Sequence, residues 1–331
     1  MAAVDTLLLT RSDVADLLDL DVCIAAVEEA FRAHGTSRPP TGVLGMPVPG
    51  GGFHIKAGVL EVGGRPYFAA KTNANFPANP SRHKLPTIQG VIVLADAERG
   101  TPLAVLDSGE ITSLRTAAAT AVAARHLARA DAHSTAIIGC GVQGRVQLKA
   151  VASVRKIDQV RLYDRDPGHA EKMARAMRRA VKAEITIVDS PRAAARPSDI
   201  VITCTSSHEP LLTAGDVMAG SFVAGVGADH PEKNELAPAL LAASRVVVDV
   251  LDQAATIGDL HHALAAGAMT REDVAAELGA IVAGRAPGRT TAEQVFVFDS
   301  TGMALQDVAA AVVVYERARK TRRGVKVRLG Q

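Results

Sequence analysis

The sequence contains no tryptophan, only three cysteines and 3% aromatic residues among its 331 positions. Cys23, Cys140 and Cys204 lack the C-x-x-C spacing of disulfide and zinc frameworks, so we expect buried, reduced thiols and no metal site. No apolar run reaches the length of a membrane span, and no basic region precedes an apolar core at the N-terminus. These absences favour a cytoplasmic protein that acts away from membranes.

Charge and composition exclude further classes. The formal net charge of +2 offers no strong field for nucleic acid or for a membrane surface. Hydrophobic residues make up 48% of the chain. Because aromatic residues are few, alanine, valine, leucine and glycine must fill the core, which is typical of buried parallel strands and closely packed helices. The length predicts about two domains.

One stretch, residues 134–146, has the pattern of a strand, a glycine turn and a helix start. Gly139, Gly141 and Gly144 form G-x-G-x-x-G directly after an apolar, β-branched run. In this motif the glycines permit a tight turn, a close approach of a pyrophosphate, and close packing of the helix on the sheet. A second strand ends in Asp164, twenty residues past Gly144, where a ribose hydroxyl needs an acceptor. The alternative, a glycine-rich surface loop, does not account for these flanking strands.

The order of elements predicts two different architectures in one chain. After the glycine turn, strand and helix signals alternate, with strands at 185–188, 200–204, 222–226, 246–249 and 295–298. This alternation predicts an α/β domain with a Rossmann-type doubly wound parallel sheet. Before the turn, the pattern predicts helix up to residue 35 after a short start, and a long helix at 110–129. It also predicts strands at 53–57, 67–73, 87–94 and 102–106, so this part is an α+β segment of antiparallel strands.

A final helix to about residue 320 is apolar on one side, so we expect it to return to the first domain. The predicted domains are therefore 126–302, which binds the dinucleotide, and a discontinuous α+β domain of 1–125 with 303–331. The end of the chain is basic, which suggests contact with phosphates. Because aromatic residues are not interleaved, a solvated helix end is the better interpretation for these seven cations: Arg317, Arg319, Lys320, Arg322, Arg323, Lys326 and Arg328.

Three polar residues interrupt apolar runs and are candidates for chemistry. Lys71 at a strand end is either a snorkelling surface residue or a cation that binds a carboxylate and handles protons. Arg115 near a helix N-terminus opposes the helix dipole unless an anion offsets it, the alternative being a side chain that reaches water. Asp229 follows the carboxyl end of a strand, where ligands bind to open α/β sheets, although it is equally suited to a turn.

Five separated motifs, in order, resemble the ornithine cyclodeaminase/μ-crystallin family between about residues 5 and 318. They are residues 85–90 (LPTIQG), 111–118 (ITSLRTAA), 139–144, 226–229 (VGAD) and 298–302 (FDSTG). The resemblance implies a homodimer. It also implies that the discontinuous domain serves for substrate binding and dimerisation, beside a nucleotide-binding Rossmann domain.

The resemblance also implies roles for individual residues. Lys71 is similar to the lysine that contacts the substrate carboxylate and the reacting centre, Arg115 to an arginine near cofactor and substrate, and Asp229 to the proton donor and acceptor. The family's other carboxylate-binding arginine does not align securely, so Arg38 and Lys56 are both candidates. Together with the glycine motif, the resemblance predicts cofactor contacts at Thr87, Arg115, Gly139, Gly141, Val142, Gln143, Gly144, Asp164, Arg165, Thr205, Val226, Lys233 and Ser300.

The implied chemistry is hydride transfer at the Cα–N bond of a small amino or imino acid. The main prediction is an NAD(P)-dependent imine reductase or amino-acid dehydrogenase, for example for Δ1-pyrroline-2-carboxylate, and the extended region 42–65 favours it over a cyclodeaminase. The first alternative is ornithine cyclodeaminase, with catalytic NAD and release of ammonia. The second is a crystallin-like protein that only binds the cofactor. Asp164 favours NAD because a carboxylate repels a 2′-phosphate, while the adjacent Arg165 leaves NADP possible.

Overall fold

The computed structural model describes residues 5–329. Within that range the strands are β1 (Thr6–Leu9), β2 (Thr41–Val48), β3 (Gly51–Val62), β4 (Arg65–Asn75), β5 (Ile88–Asp96), β6 (Pro102–Asp107), β7 (Ser134–Ile138), β8 (Gln159–Tyr163), β9 (Glu184–Ile187), β10 (Ile200–Thr203), β11 (Phe222–Gly225), β12 (Arg245–Val248), β13 (Ala276–Glu277), β14 (Phe296–Asp299) and β15 (Val325–Val327). The α-helices are α1 (Arg11–Leu17), α2 (Leu20–Ser37), α3 (Asn79–Arg82), α4 (Gly109–Leu127), α5 (Val142–Val154), α6 (Pro167–Met177), α7 (Pro191–Ala195), α8 (Pro238–Ala242), α9 (Leu251–Ile257), α10 (Asp259–Ala265), α11 (Leu278–Val282) and α12 (Ala304–Thr321).

The chain forms two compact units. The first contains the residues up to Arg115 and those from Met303 onwards, and the second contains Thr116–Gly302. The functional assignment of the predicted domains, with a boundary at 125/126, remains a prediction. Among residues 5–329, no helix is long and apolar enough to cross a membrane.

The first unit is built on a seven-stranded sheet in the order β15-β1-β6-β5-β4-β3-β2, antiparallel except for the β1/β6 pair. Helix α12 packs on β3, β4 and α2, as the apolar side of the last helix predicted. The strands β4, β5 and β6 confirm three of the predicted strands, and in β4 alternate residues are buried, as a half-buried strand requires.

The N-terminal segment departs from its prediction as one helical stretch. It begins with β1, and the helical part is divided because Asp19 adopts an extended backbone and accepts a hydrogen bond from Val22 N, which starts α2 as a new helix. The Gly- and Pro-rich region after α2 is also more regular than predicted, because β2 and β3 pair as a long hairpin from Thr41 to Val62.

The basic tail is not simply a solvated helix end. Helix α12 ends at Thr321, and β15 then pairs antiparallel with β1. Several of the cations bind acids of the N-terminal segment: Arg317 lies 2.7 Å from Asp19, Arg323 lies 2.9 Å from Asp16, and Lys326 lies 3.2 Å from Asp5. The acids are distant in sequence, which is why the pattern of the tail alone did not reveal them.

The sheet face opposite α12 is largely apolar and exposed. The strand registers place alternate residues of β1, β2 and β5 on this face. We call it the apolar sheet face; its exposed members are Leu8, Leu44, Met46, Val48, Val91, Val93 and Val325, each more than a third exposed. An apolar surface of this extent on a folded chain is typical of an interface with another protein.

The second unit is an eight-stranded parallel sheet in the order β13-β12-β14-β11-β10-β7-β8-β9. From β7 the chain proceeds outward through β8 and β9, then returns so that β10 lies on the other side of β7. The strand order therefore reverses at β7/β10, and ligands of doubly wound sheets bind beside such a reversal, at the carboxyl ends of the strands. The predicted Rossmann-type sheet is confirmed, and its central strands β7, β10 and β11 are buried throughout, as is usual for parallel strands covered by helices on both faces.

Candidate active site

The first unit contains a buried cluster of charged side chains, which we call the cation cluster: Lys56, Lys71, Arg115 and Asp307. Lys71 lies on β4 and Lys56 lies opposite it on β3. The Lys71 Nζ atom lies 2.8 Å from Oδ1 and 2.7 Å from Oδ2 of Asp307, and Arg115 Nε donates to the same Oδ1 at 3.1 Å. Two cations thus contact one carboxylate, and the charge of Lys56 acts on it from the neighbouring strand.

The surroundings shift the pKa values of two members of the cation cluster. Burial lowers the pKa of Lys71 to about 7, and the charges of Arg115 and Lys56 act in the same direction against Asp307. Burial opposes ionisation of Asp307, but the charges of Lys71 and Arg115 outweigh it and hold its pKa below the usual range. The cluster therefore carries excess positive charge when Lys71 is protonated, and it would bind a further anion favourably.

The structure decides between the interpretations left open for two of these residues. Lys71 is only 3% exposed and ends on Asp307, so it is not a snorkelling surface lysine. Arg115 is also buried and does not reach water; the anion that offsets its position in α4 is Asp307. Of the two uncertain carboxylate binders, Lys56 is buried in the cluster, whereas Arg38 lies exposed at the C-terminal cap of α2.

Asp307 was missed at the sequence level, although a signal was present. It is the one charged residue in the run 303–314, which is otherwise apolar except for Gln306. An acid on the buried side of such a helix needs a cation, because an unpaired buried charge is very costly. What the sequence does not reveal is which cations meet it.

The nucleotide turn in the second unit has the expected geometry. Gly139 has a positive φ of 104°, and a Cβ atom there would lie 2.7 Å from the Cys204 carbonyl oxygen. A Cβ atom on Gly144 would lie 2.2 Å from the Gly139 carbonyl oxygen. A Cβ atom on Gly141, by contrast, would have no atom of the described residues within 4 Å, apart from those of its two chain neighbours. Two glycines are thus required by the fold, and the third borders open space where a diphosphate can approach.

The start of α5 is open in the same way. Gly141 is its N-cap and supplies no side-chain acceptor, Val142 is 65% exposed and Gln143 is half-buried. The first N–H groups of a helix need acceptors from outside the helix, and the helix dipole favours an anion there. These features fit the diphosphate of a dinucleotide.

Asp164 has a second role that the motif did not predict. Its Oδ2 atom accepts a hydrogen bond from Cys140 N at 2.7 Å, and its Oδ1 atom accepts one from Asp166 N at 2.9 Å. The carboxylate therefore ties the glycine turn to the end of β8. Arg165 beside it is exposed.

The remaining predicted cofactor residues of the second unit lie at the carboxyl edge of the same sheet. Thr205 follows β10, Val226 follows β11, and Ser300 follows β14. The Ser300 hydroxyl is buried and has no hydrogen-bond partner within the described chain, which suits it to a ligand. In the first unit, Thr87 is half-buried at the start of β5, and its carbonyl oxygen accepts from Phe76 N.

Asp229 lies beyond β11 with its side chain 47% exposed, so it is accessible to a ligand. Its Oδ1 atom lies 2.6 Å from Lys233 Nζ, which joins two residues that the resemblance assigns to different roles. Backbone groups of Gly227 support the loop, since Asp229 N donates to the Gly227 carbonyl oxygen. A half-exposed carboxylate beside an ammonium group can accept and return a proton.

Fold and site together define a class: proteins that pair a doubly wound dinucleotide-binding unit with a second unit carrying a buried cationic site. The sequence profile of the ornithine cyclodeaminase/mu-crystallin family matches residues 4–322. The chain belongs to the ornithine cyclodeaminase/mu-crystallin family.

Three solved structures are similar over nearly the whole chain. An archaeal alanine dehydrogenase dimer with bound NAD has 36% identity and a TM-score of 0.92, covering 98% of this chain and 99% of its own. The Δ1-pyrroline-2-carboxylate reductase of Thermococcus litoralis, in complex with NADH and L-proline, has 33% identity and a TM-score of 0.93, covering 97% and 100%. A lysine cyclodeaminase has 30% identity and a TM-score of 0.83, covering 98% and 96%.

Proposed function

We propose that this protein is an NAD-dependent oxidoreductase that acts on the Cα–N bond of a small amino or imino acid. The observation that carries the proposal is the cation cluster, where Lys71 and Arg115 both contact the Asp307 carboxylate and Lys56 adds a third positive charge nearby. Such a cluster is suited to an anionic substrate such as an α-carboxylate. Relatives that act on alanine and on Δ1-pyrroline-2-carboxylate support this substrate class.

The residues of this chain would have separate roles in binding the substrate and in transferring the proton. A bound nicotinamide dinucleotide supplies or accepts the hydride at Cα. Lys71 and Arg115, supported by Lys56, hold the substrate carboxylate and so orient Cα. Asp229 gives a proton to the nitrogen or takes one from it, and Lys233 stabilises the ionised form of that carboxylate. Orientation by two cations can remove several kcal/mol from the barrier.

For the cofactor we propose NAD, with NADP as a weaker alternative. The open space at Gly141 and the exposed start of α5 fit a diphosphate. Asp164 at the end of β8 is suited to bind ribose hydroxyls and to repel a 2′-phosphate. Two of the similar structures contain NAD or NADH, which agrees with this preference.

We also propose that two copies of this chain associate through the apolar sheet face. Seven large apolar side chains on it are each more than a third exposed, and burial against a second copy would remove the free-energy cost of hydrating them. The similar alanine dehydrogenase is a dimer. A two-fold symmetric dimer, in which both subunits use the same surface, is the commonest oligomer of soluble proteins.

Cyclodeamination remains the alternative, because a lysine cyclodeaminase shares the fold at 30% identity. One experiment separates the two reactions. Purified protein is mixed with NADH or NADPH and a panel of cyclic and acyclic imino acids, and separately with NAD and ornithine or lysine. We expect stoichiometric oxidation of NADH by an imino acid, with Lys71→Ala slower by about 10²-fold. Release of ammonia without net change of the nicotinamide would support the cyclodeaminase, and cofactor binding without any turnover would support a binding protein.

A further inference from the structure

A buried carboxylate outside the proposed contact residues lies between two strand ends of the second unit. Glu235 is fully buried and accepts four hydrogen bonds. Its Oε1 atom accepts from the backbone N (2.6 Å) and the hydroxyl (2.7 Å) of Thr205. Its Oε2 atom accepts from the hydroxyl of Thr203 (2.8 Å) and from Gly227 N (2.7 Å). One side chain thus joins the end of β10 to the loop after β11.

Glu235 is itself held by a second buried acid. The Oδ1 atom of Asp259 accepts from Glu235 N at 2.7 Å and from Leu236 N at 3.1 Å. The packing around the Glu235 carboxylate is also tight: a Cβ atom on Gly227 would lie 2.6 Å from Glu235 Cδ. The position of the carboxylate is therefore set by the fold and leaves it little freedom to move.

The two segments joined by Glu235 carry residues of the proposed site. Thr205 is a proposed cofactor contact, and the loop after β11 leads through Gly227 to Asp229, the proposed proton carrier. We propose that Glu235 is a positioning residue, which sets the spacing of Thr205 and the Asp229 loop for the nicotinamide dinucleotide; this inference rests on the proposed function. Glu235 acts through these groups and needs no contact with the substrate or the cofactor.

The chain offers a matched control at the opposite edge of the same sheet. Asp199 immediately precedes β10, is buried, and accepts from four donors: Ser134 N (3.0 Å), Ser134 Oγ (2.7 Å), His133 N (3.1 Å) and Arg129 Nη2 (2.7 Å). It supports the amino ends of β7 and β10, whereas Glu235 supports the carboxyl ends where ligands bind. Loss of either carboxylate should cost stability, but only loss of Glu235 should disturb the cofactor site.

The experiment compares Glu235→Gln with Asp199→Asn. Each Glu235 oxygen accepts from a backbone N–H, so either orientation of the glutamine amide sets its NH2 group against a backbone donor. We expect the NADH dissociation constant of Glu235→Gln to rise about tenfold and its kcat to fall by up to about 10²-fold, because small displacements at a reacting centre have large effects. Its KM for the imino acid should stay within about twofold of wild type, since the cation cluster is untouched. Asp199→Asn should lower the melting temperature and leave all three constants near wild type.

Thr203→Val provides a second variant if Glu235→Gln does not fold. Thr203 is buried within β10, and valine preserves its shape while removing one hydrogen bond to Glu235. We expect a smaller change in NADH affinity and kcat in the same direction. The inference is overturned if the variants at Glu235 and Thr203 bind NADH and turn over as Asp199→Asn does. If the wild-type protein binds neither NADH nor NADPH, the proposed function fails, and this inference fails with it.

Discussion

The Nζ atom of Lys71 lies 2.7 Å from Oδ2 of Asp307, although the two residues are 236 positions apart in the chain. Lys71 is on the interior strand β4, and Asp307 is on helix α12 near the end of the chain. Asp307 is the carboxylate that compensates the buried charges of Lys71 and Arg115. The same ion pair therefore contributes both to the stability of the first unit and to the proposed binding of an anionic substrate there.

The first prediction concerns Asp307. Asp307→Asn removes the carboxylate and leaves buried cations uncompensated, so we expect the free energy of unfolding near pH 7 to fall by about 3–5 kcal/mol. Chemical denaturation measures this loss. The control is Glu110→Gln, which breaks the exposed ion pair with Arg11 and should cost less than about 1 kcal/mol. Equal losses in the two variants would contradict the role given to Asp307.

The second prediction is a pH profile. The pKa of Lys71 is lowered to about 7 by burial and by Arg115, so the ammonium that binds the substrate carboxylate is lost as pH rises through about 7. We expect kcat/KM to decline above that pH, since this ratio reports groups of the free enzyme. In Lys71→Arg the decline should move to much higher pH, because arginine stays protonated.

This assignment has a competitor, since burial also raises the pKa of Asp299 to about 7. The decline should persist in Asp299→Asn. If it persists in Lys71→Arg and disappears in Asp299→Asn, Lys71 is not the titrating group.

The third prediction concerns stability and Asp299. Its pKa rises from 3.8 in the unfolded chain to about 7 in the fold, chiefly through burial, so the folded protein binds more protons between these values. The contribution of Asp299 to the free energy of unfolding therefore decreases as pH rises from about 4 to about 7. Asp299→Asn should be close to wild type at the acid end of this window and more stable than wild type above it. The measurement is the denaturation midpoint of each protein across this pH window. A difference between the two proteins that stays constant with pH would refute the prediction.

The fourth prediction separates the glycines of the nucleotide turn. Gly141→Ala should keep the melting temperature near wild type, because its Cβ enters open space and its φ of −73° suits any residue. It should raise the NADH dissociation constant by at least about tenfold, or about 1.4 kcal/mol, by blocking the approach of the diphosphate. Gly144→Ala should instead lower the melting temperature, because its Cβ would overlap the Gly139 carbonyl oxygen. Calorimetry measures the melting temperatures, and fluorescence titration measures the NADH dissociation constants. If Gly141→Ala binds NADH as tightly as wild type, the diphosphate does not bind at this turn.

The fifth prediction tests the apolar sheet face. Val93→Asp puts a negative charge on this face, and association with a second copy would bury that charge without a counter-charge. We therefore expect light scattering to give the mass of one chain for this variant. Ile187→Asp on β9 of the second unit is the matched control, since both side chains are about two-fifths exposed. The control should keep the mass of two chains. A wild-type protein with the mass of one chain, or a Val93→Asp variant that stays paired, would contradict the proposal.

The sequence predicted well wherever the signals are local. The turn Gly139–Gly144, the strands around it and the parallel order of the second unit follow from alternation and from glycine chemistry, and the structure confirms them. The antiparallel strands β4, β5 and β6 were also predicted, because each is a short apolar run bounded by turn residues. The strands β1 and β15 were not, since both are short and are defined by long-range pairing: β1 pairs with β6 and β15, and β15 pairs with β1.

The partners of buried charges were decided by tertiary structure alone. Lys71 and Arg115 were recognised as unusual residues, but the sequence could not tell that both end on Asp307. Glu235 likewise gave no local sign of its four donors, which come from two other segments. Local sequence determines backbone conformation and the periodicity of burial. Which charges share a low-dielectric interior depends on how distant segments pack, and no short stretch of the chain encodes that.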